Sequence, residues 1–591
     1  MSAQTKAKRG LLANAFNSSR WDSRIKSQNI SKKEIVLGYF IGPWGMLLTN
    51  SIVNSYFNAY LTDVLGFTVD KGLWVVTFMA LFPVVSKLID AITNIIMGRL
   101  LDRTASRQGK TRPWIILSAP LVLISIVAMF TMPFTNVKFQ AVWVVVTFNL
   151  YYAVAYTIWN MAKELGVALS TNNVKQRRTN AMSAMLVQQM GTGVVSILFP
   201  TMLAAVTHNL GGGDAAKGYF YSMSFIGCIA VPLAFVQYFY TRERITEEHR
   251  KQPDAGKDGG AGLEVASFGA QLKACLSDKY WVVYIVTILL WNTIANVRNI
   301  ALIYYSGWVI SGNSYGSAAS IQAAFQVIAM QPMFLGVFLV LPMMRKLGRR
   351  KTIWLGAILT IVGSVIAYFG AGSRMMIYAG SALAGFGNVT FSYLITTFLG
   401  DCIDHVEWKT KVRCDGATSS FYGAVYMFAV GIAQGIFNLG LGISGYSQPE
   451  QIGVGADGIA LYADQLPSAV NWINISYQGL YILLGLIMFI VFRFFFKIED
   501  ELPTVTHELE ERRIAEYAAL GMEYIPPSER ERREIEEQER EAEEVRVREL
   551  KEKCAKRGLD FEKENEKVLN KRAAKKAKAE KKAAARKKSD K

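Results

Sequence analysis

The sequence predicts an all-α integral membrane protein: twelve transmembrane helices in two six-helix bundles, with the N- and C-termini cytoplasmic. Three observations carry this. Of 591 residues, 51% are hydrophobic and 19% charged, and the mean hydropathy is +0.21, where a soluble chain of this size lies below zero. A bilayer core of about 30 Å takes roughly 20 apolar residues per helical crossing, and twelve such runs separate polar loops, at 35–63, 73–101, 113–133, 139–168, 180–207, 219–240, 280–310, 318–344, 351–371, 375–400, 416–443 and 471–496. The net charge of +18 lies entirely before residue 498, because the last 94 residues hold 25 Lys+Arg and 25 Asp+Glu. A body that is both apolar and basic is what the positive-inside rule produces.

Residues 1–34 form a basic cytoplasmic N-terminus, with Lys6, Lys8, Arg9, Arg20, Arg24, Lys26, Lys32 and Lys33 ahead of an apolar run too long for a signal peptide. The first bundle is 35–240. Its loops after spans 2 and 4 carry Arg103, Arg107, Lys110 and Arg112, then Lys175, Arg177 and Arg178. A polar linker, 241–279, leads to the second bundle at 280–497. There, Arg345, Lys346, Arg349, Arg350 and Lys351 follow span 8, and Lys409, Lys411 and Arg413 follow span 10. The opposite loops hold little basic charge, and 444–470 holds none. Internal Gly and Pro, as at Gly42-Pro43, Pro83 and Pro332, suit packed membrane helices that satisfy freed backbone groups locally. The faint repeat of Gly98-Arg-Leu-Leu-Asp102-Arg103 and Met344-Arg-Lys-Leu-Gly348-Arg-Arg-Lys351, each after the second span of its half, fits one known transporter plan with a solute site between parallel halves.

The tail, 498–591, is acidic to Leu550 and basic beyond it. It reads as a solvated helix or disordered segment laced with i,i+4 pairs; the sharper reading gives its basic end to anionic lipid or a cytosolic partner. Five scattered cysteines and four separated histidines supply no disulfide framework, metal centre or catalytic triad. Gln108-Gly-Lys110-Thr111 resembles the end of a phosphate loop, but Thr104 stands where its first glycine belongs. Neither an enzyme nor a nucleic-acid binder is predicted, no cofactor is called for, and the expected partners are a small solute and the bilayer of the cell membrane.

Ionised groups inside a bilayer cost at least ~2.5–3.5 kcal/mol on insertion scales, so the few present are informative: Lys87 and Asp90, Lys163 and Glu164, and Arg298. Lys87 and Asp90 share a helical face and, with Asn94 and Asn160, are the candidates for coupling a cation or proton to solute movement; a structural ion pair is the competing reading. Aromatic rings beside amides suit a carbohydrate, whose C–H faces stack while its hydroxyls take hydrogen bonds. The candidate solute ligands are Tyr152, Tyr156, Trp159, Asn160, Trp291, Asn292, Arg298 and Tyr393.

Asp90-Ala-Ile-Thr-Asn94-Ile-Ile-Met-Gly98, then Arg103-Thr-Ala-Ser-Arg107-Gln-Gly-Lys110-Thr-Arg112-Pro-Trp114, and Asp401-Cys-Ile-Asp404-His-Val-Glu407-Trp-Lys409-Thr-Lys-Val-Arg413 in the second half, resemble the glycoside–pentoside–hexuronide:cation symporters of the major facilitator superfamily, typified by melibiose permease. The resemblance covers about 35–497. It implies alternating access, with a cytoplasmic gate in which Asp401, Asp404, Lys409 and Arg413 pair with groups of the first half, drawn from Asp102, Arg103, Arg107 and Arg112. It also implies departures. Asn94 and Asn160 stand where the family's sodium site has aspartates, Leu47 falls near the acidic sugar ligand, and Met427 near a basic residue. One carboxylate with two amides makes a poor sodium cage. The expectation is therefore a secondary transporter of a sugar, glycoside or uronide, co-transporting a proton or uncoupled, with sodium disfavoured. The alternatives are a carrier for an amphipathic solute such as a lysolipid, and a non-transporting sensor that signals through the tail.

Overall fold

The structure is a computed structural model and describes residues 21–570 apart from 28, 105, 172, 247–266, 312–317, 371, 455–459 and 520–526. The basic stretches before Trp21 and after Asn570, and most of the linker, lie outside the described residues.

A helix occupies each expected span. The first half holds α1 (Glu34–Val64), α2 (Leu73–Arg103), α3 (Arg112–Met129), α4 (Val137–Ala168), α5 (Val174–Asn209) and α6 (Ala215–Tyr240). The second holds α7 (Lys279–Ile310), α8 (Ala318–Leu347), α9 (Arg349–Phe369), α10 (Arg374–Thr410), α11 (Asp415–Ile443) and α12 (Pro467–Phe495). Ten of these are individually long and apolar enough to cross a membrane, and α5, bent by 40°, is an eleventh. Starts are set by short polar side chains that accept otherwise unpaired backbone N–H groups: Asn136 for α4, Asn173 for α5, Asp214 for α6 and Asp278 for α7. Gly348, at φ +82°, reverses the chain between α8 and α9 within one residue. Pro83, Pro120, Pro200, Pro232, Pro332 and Pro342 all lie inside helices, as membrane packing allows.

α9 and α10 approach closely along small residues. A Cβ added at Gly363 would stand 2.3 Å from the Ala384 nitrogen, and one at Gly387 2.3 Å from the Gly356 oxygen. The expected loop between α11 and α12 contains an unforeseen two-stranded hairpin, β1 (Gln451–Val454) against β2 (Ala460–Tyr462).

The halves meet unevenly. α2 and α11 touch from Val76 against Gly442, through Ala80 against Gly435, to Lys87 against Gly431. Beyond the contact of Asn94 with the Met427 sulfur at 3.5 Å they part: a Cβ at Gly423 meets nothing within 4 Å, and one at Gly98 meets only Met161 of its own half. Hydrogen bonds across the closed end run from Tyr446 to Asp63 (2.9 Å), Asn58 to Tyr304 (2.9 Å), Gln322 to Tyr56 (2.8 Å) and Gln448 to the Asp63 and Val64 carbonyls (both 3.1 Å). The protein is thus shut at the end away from its basic loops and open at the basic end.

The tail is not wholly free of the body. Helix α13 (Ile498–Ala519) buries Ile498, Val505 and Leu509 and lies along the end of α10, where Glu508 accepts the Trp408 N–H at 2.6 Å and Arg512 donates to the Trp408 carbonyl at 3.0 Å. Helix α14 (Pro527–Arg557) carries the expected short-range pairs, such as Arg533–Glu529 and Arg532–Glu536.

Candidate functional site

Two polar centres lie at mid-depth, and each is built beside a widened turn. In α4 the helix broadens to a π-helical stretch over Leu150–Tyr156, and in α12 over Ile475–Gly479; such stretches are frequent at functional sites.

The first centre is Asp90. Lys87 Nζ is 3.3 Å from Oδ2, and both side chains are 9% exposed. Oδ1 accepts from Thr157 Oγ1 at 2.8 Å and from Asn94 Nδ2 at 3.3 Å. The Lys87 ammonium also lies 3.8 Å over the Tyr152 ring, a favourable cation–π placement, and the Tyr152 hydroxyl donates to Asn54 at 2.6 Å. Asp90 therefore faces an ammonium, an amide NH2 and a hydroxyl whose one proton also has the Tyr152 carbonyl within reach, at 2.8 Å. Asn94 presents its NH2 rather than an oxygen, and Asn160 is half-buried one turn beyond Thr157 without a hydrogen bond to Asp90. Thr157 belongs to this centre and was not singled out from the sequence, since hydroxyls are common in membrane spans and carry no charge signal.

The second centre is a half-open cavity of about 290 Å³ lined by α7, α8, α10 and α12. Arg298 and Tyr393, both anticipated, line it, together with Asn299, Gln326, Asn388 and Tyr477. Trp291, half-buried, holds Asn388 in place through its N–H at 3.2 Å. Tyr156 is half-buried between Tyr151 and Trp159. Two expected ligands lie elsewhere. Trp159 is fully buried and donates to Gln237 of α6 at 2.9 Å, so it packs the first half. Asn292 is buried with its amide spent on the Ile288 carbonyl, a turn back on its own helix, at 2.9 Å. The other intramembrane pair, Lys163 with Glu164, closes on itself at 2.8 Å, with Lys163 5.2 Å over Trp159.

Among the described residues, the gate candidates at the open end have these partners within their own half or on the tail helix α13. Asp401 bonds Arg349 (2.7 Å), Asp404 lies near Arg413 and Arg513 (3.6 and 3.7 Å), and Glu407 bonds both arginines (2.7 and 2.9 Å). Lys409 reaches the Ser277 carbonyl at 3.1 Å. In the first half, Arg107 pairs with Asp22 at 2.9 Å, and buried Arg112 donates to the Tyr238 and Gln108 carbonyls. Asp102 and Arg103 are exposed at the end of α2. The physical reason is separation, because the halves diverge at this end and each charge takes the partner its own half or α13 supplies.

The phosphate-loop likeness has a local cause. The backbone N–H groups of Lys110, Thr111 and Arg112 and the Thr111 hydroxyl all donate to the carboxylate of Glu243, at 2.8, 2.8, 3.1 and 2.6 Å, with Gly109 at φ +109° opening the loop. The turn is an oxyanion cradle at a helix start, filled by the protein's own acid. Its neighbour Arg244 forms a buried bidentate pair with Glu34 at 3.0 and 2.7 Å. Neither pairing was anticipated, because the partners are more than 130 residues apart in sequence.

Two six-helix halves around mid-membrane polar centres, shut at one end and open at the other, define a secondary transporter of the major facilitator class. Residues 38–500 match the family described as MFS/sugar transport protein, and the chain belongs to that family. It is 25% identical over 489 residues to an isoprimeverose transporter of Lactiplantibacillus pentosus, covering 81% of this chain and 92% of that one. It is 24% identical to a putative 2,3-dihydroxypropane-1-sulfonate exporter of Escherichia coli, covering 64% and 77%, and 24% identical to a putative glycoside/cation symporter of the same organism, YagG, covering 64% and 75%.

Proposed function

We propose that the protein moves a small hydroxylated solute, a sugar, glycoside or uronide, across the cell membrane by alternating access, with Asp90 as the coupling carboxylate and a proton, if any ion, as the coupled species. Family membership and the names of the relatives, an isoprimeverose transporter, a putative glycoside/cation symporter and a putative 2,3-dihydroxypropane-1-sulfonate exporter, support the solute class. The observation that carries the coupling assignment is the donor set around Asp90. A hard cation is held by several oxygens, whereas this carboxylate has an ammonium and an amide NH2 against it and one hydroxyl oxygen beside it. The Lys87 ammonium, 3.3 Å from the carboxylate, supports this reading as an internal cation. A proton binds to the carboxylate itself and asks for no cage.

The test is solute uptake by the full-length protein in proteoliposomes under an imposed sodium gradient, an imposed proton gradient, and the latter with an uncoupler. Accumulation driven by the proton gradient and collapsed by the uncoupler is expected; accumulation driven by sodium sinks the assignment. Asp90→Asn should abolish accumulation yet leave solute exchange. A purely structural Lys87–Asp90 pair predicts instead loss of protein from the membrane, rescued when Lys87 is also removed.

A further inference from the structure

The cavity in the second half holds a charge that no carboxylate among the described residues neutralises. Arg298 lies twelve residues before the end of the 32-residue helix α7, about 18 Å along the axis at ~1.5 Å per residue, and so near mid-membrane. Its guanidinium cannot deprotonate in a protein. The other cations at this depth have acids beside them, Lys87 with Asp90 and Lys163 with Glu164, but among the described residues no carboxylate comes within 4 Å of Arg298. It lies instead over the faces of Tyr477 and Tyr481, 4.4 and 3.8 Å from the ring centroids. Rings stabilise a cation by roughly 0.5–2 kcal/mol and leave its charge intact.

The surroundings are rigid and polar. Tyr477 stacks on Tyr305 at 4.3 Å and 19°, and Asn388 is fixed by Trp291. Asn299, whose amide reaches Ser55 of the first half at 3.3 Å, sets the cavity beside the junction of the halves. Amides and hydroxyls on the wall suit the hydroxyls of a solute, and the planar fork of the guanidinium suits an oxyanion, which it grips by two parallel hydrogen bonds. Closing the site removes water and strengthens every electrostatic interaction inside it. A neutral occupant would then trap a bare cation, while an anionic one would cancel it.

We propose that Arg298 anchors an oxyanion, a carboxylate or sulfonate, borne by the small hydroxylated solute, so that the protein selects acidic over neutral sugars and polyols. This rests on the transport reading above and narrows it.

The test pairs each anion with its neutral counterpart on purified full-length protein: D-glucuronate with D-glucose, D-galacturonate with D-galactose, and 2-hydroxyethanesulfonate with ethylene glycol, by calorimetric titration at fixed ionic strength. At least one anion should bind tenfold or more tightly than its partner, and which pair shows it separates carboxylate from sulfonate. Arg298→Gln should erase the preference and Arg298→Lys should keep part of it. If no anion outbinds its counterpart on the unaltered protein, the proposal is wrong, whatever the variants do; a preference that survives in folded Arg298→Gln overturns it equally. Proteoliposome flux separates the two levels. Uptake of neutral sugars alone leaves transport standing and removes the anion anchor, whereas the absence of flux for every compound removes both.

Discussion

Gly435 is where the closed end is most directly open to perturbation. A Cβ at this position would stand 2.6 Å from the Ala80 carbonyl oxygen and 3.3 Å from a Val84 methyl. The first distance falls about 0.8 Å short of ordinary contact, even before the branched end of a leucine is added. Overpacking of this kind costs about 1–3 kcal/mol. Where the packed surfaces belong to two bodies that also meet in another arrangement, the strain is relieved by parting them, and 1–3 kcal/mol then appears as a ~5- to 150-fold shift in population. Gly435→Leu should therefore open the shut end. The readout is a single reporter cysteine at Leu441, which is 3% exposed at that end, placed in a background in which Cys228, Cys275, Cys402, Cys414 and Cys554 are all serine. Its rate of maleimide modification in micelles should rise by the same factor. Gly423→Ala is the control, because an added Cβ there meets nothing within 4 Å. Unchanged labelling of a folded Gly435→Leu protein, or equal acceleration by Gly423→Ala, would refute the assignment of this seam as the closure.

Two further outcomes concern the end of α10. Leu509→Ala, which empties a buried site, should weaken the seating of α13 by up to ~2–5 kcal/mol, read as faster amide exchange across 498–519 with α7 unchanged; unchanged protection of α13 would count against its docking. The second outcome is acid dependence. Burial alone would raise the Asp278 carboxyl, but the hydrogen bond from His405 and that from the Trp281 N–H outweigh it and hold the group below its usual range. A depressed carboxyl contributes stability that is complete above the unfolded value, about 3.9, and that is lost as pH falls through the folded one. Thermal unfolding of the protein should thus show an acid limb below about pH 4 that Asp278→Asn flattens.

The membrane architecture was legible because each span is a nearly unbroken apolar run, and the Lys87–Asp90 contact was legible because residues three apart share a helical face. Pairings between distant segments were not. Glu34 with Arg244 and Glu243 with the turn at Thr111 join groups whose spacing carries no local signal. The docking of α13 did leave a trace in the sequence: Ile498, Leu502, Val505 and Leu509 recur at i, i+4, i+7 and i+11 and share one helical face, but the acidic composition around them gave the stretch the look of a solvated tail. Trp159 looked like a sugar platform by type and neighbourhood, and only the position of Gln237 shows that it faces inward. The expected cross-gate pairs concern one of the arrangements that a rocking protein visits, and this one is parted at that end.

That parting has an energetic corollary. Asp401, Asp404 and Glu407 hold Arg349, Arg413 and Arg513 while their end stands open, so none of them waits as a bare carboxylate for the other half to arrive. Any pairing with the first half would have to displace an arginine already held, so it would exchange one ion pair for another and not add to their number. On that reckoning the charges at this end would add little slope in either direction, which leaves the close glycine contacts at the far end as the packing that a change of arrangement must break.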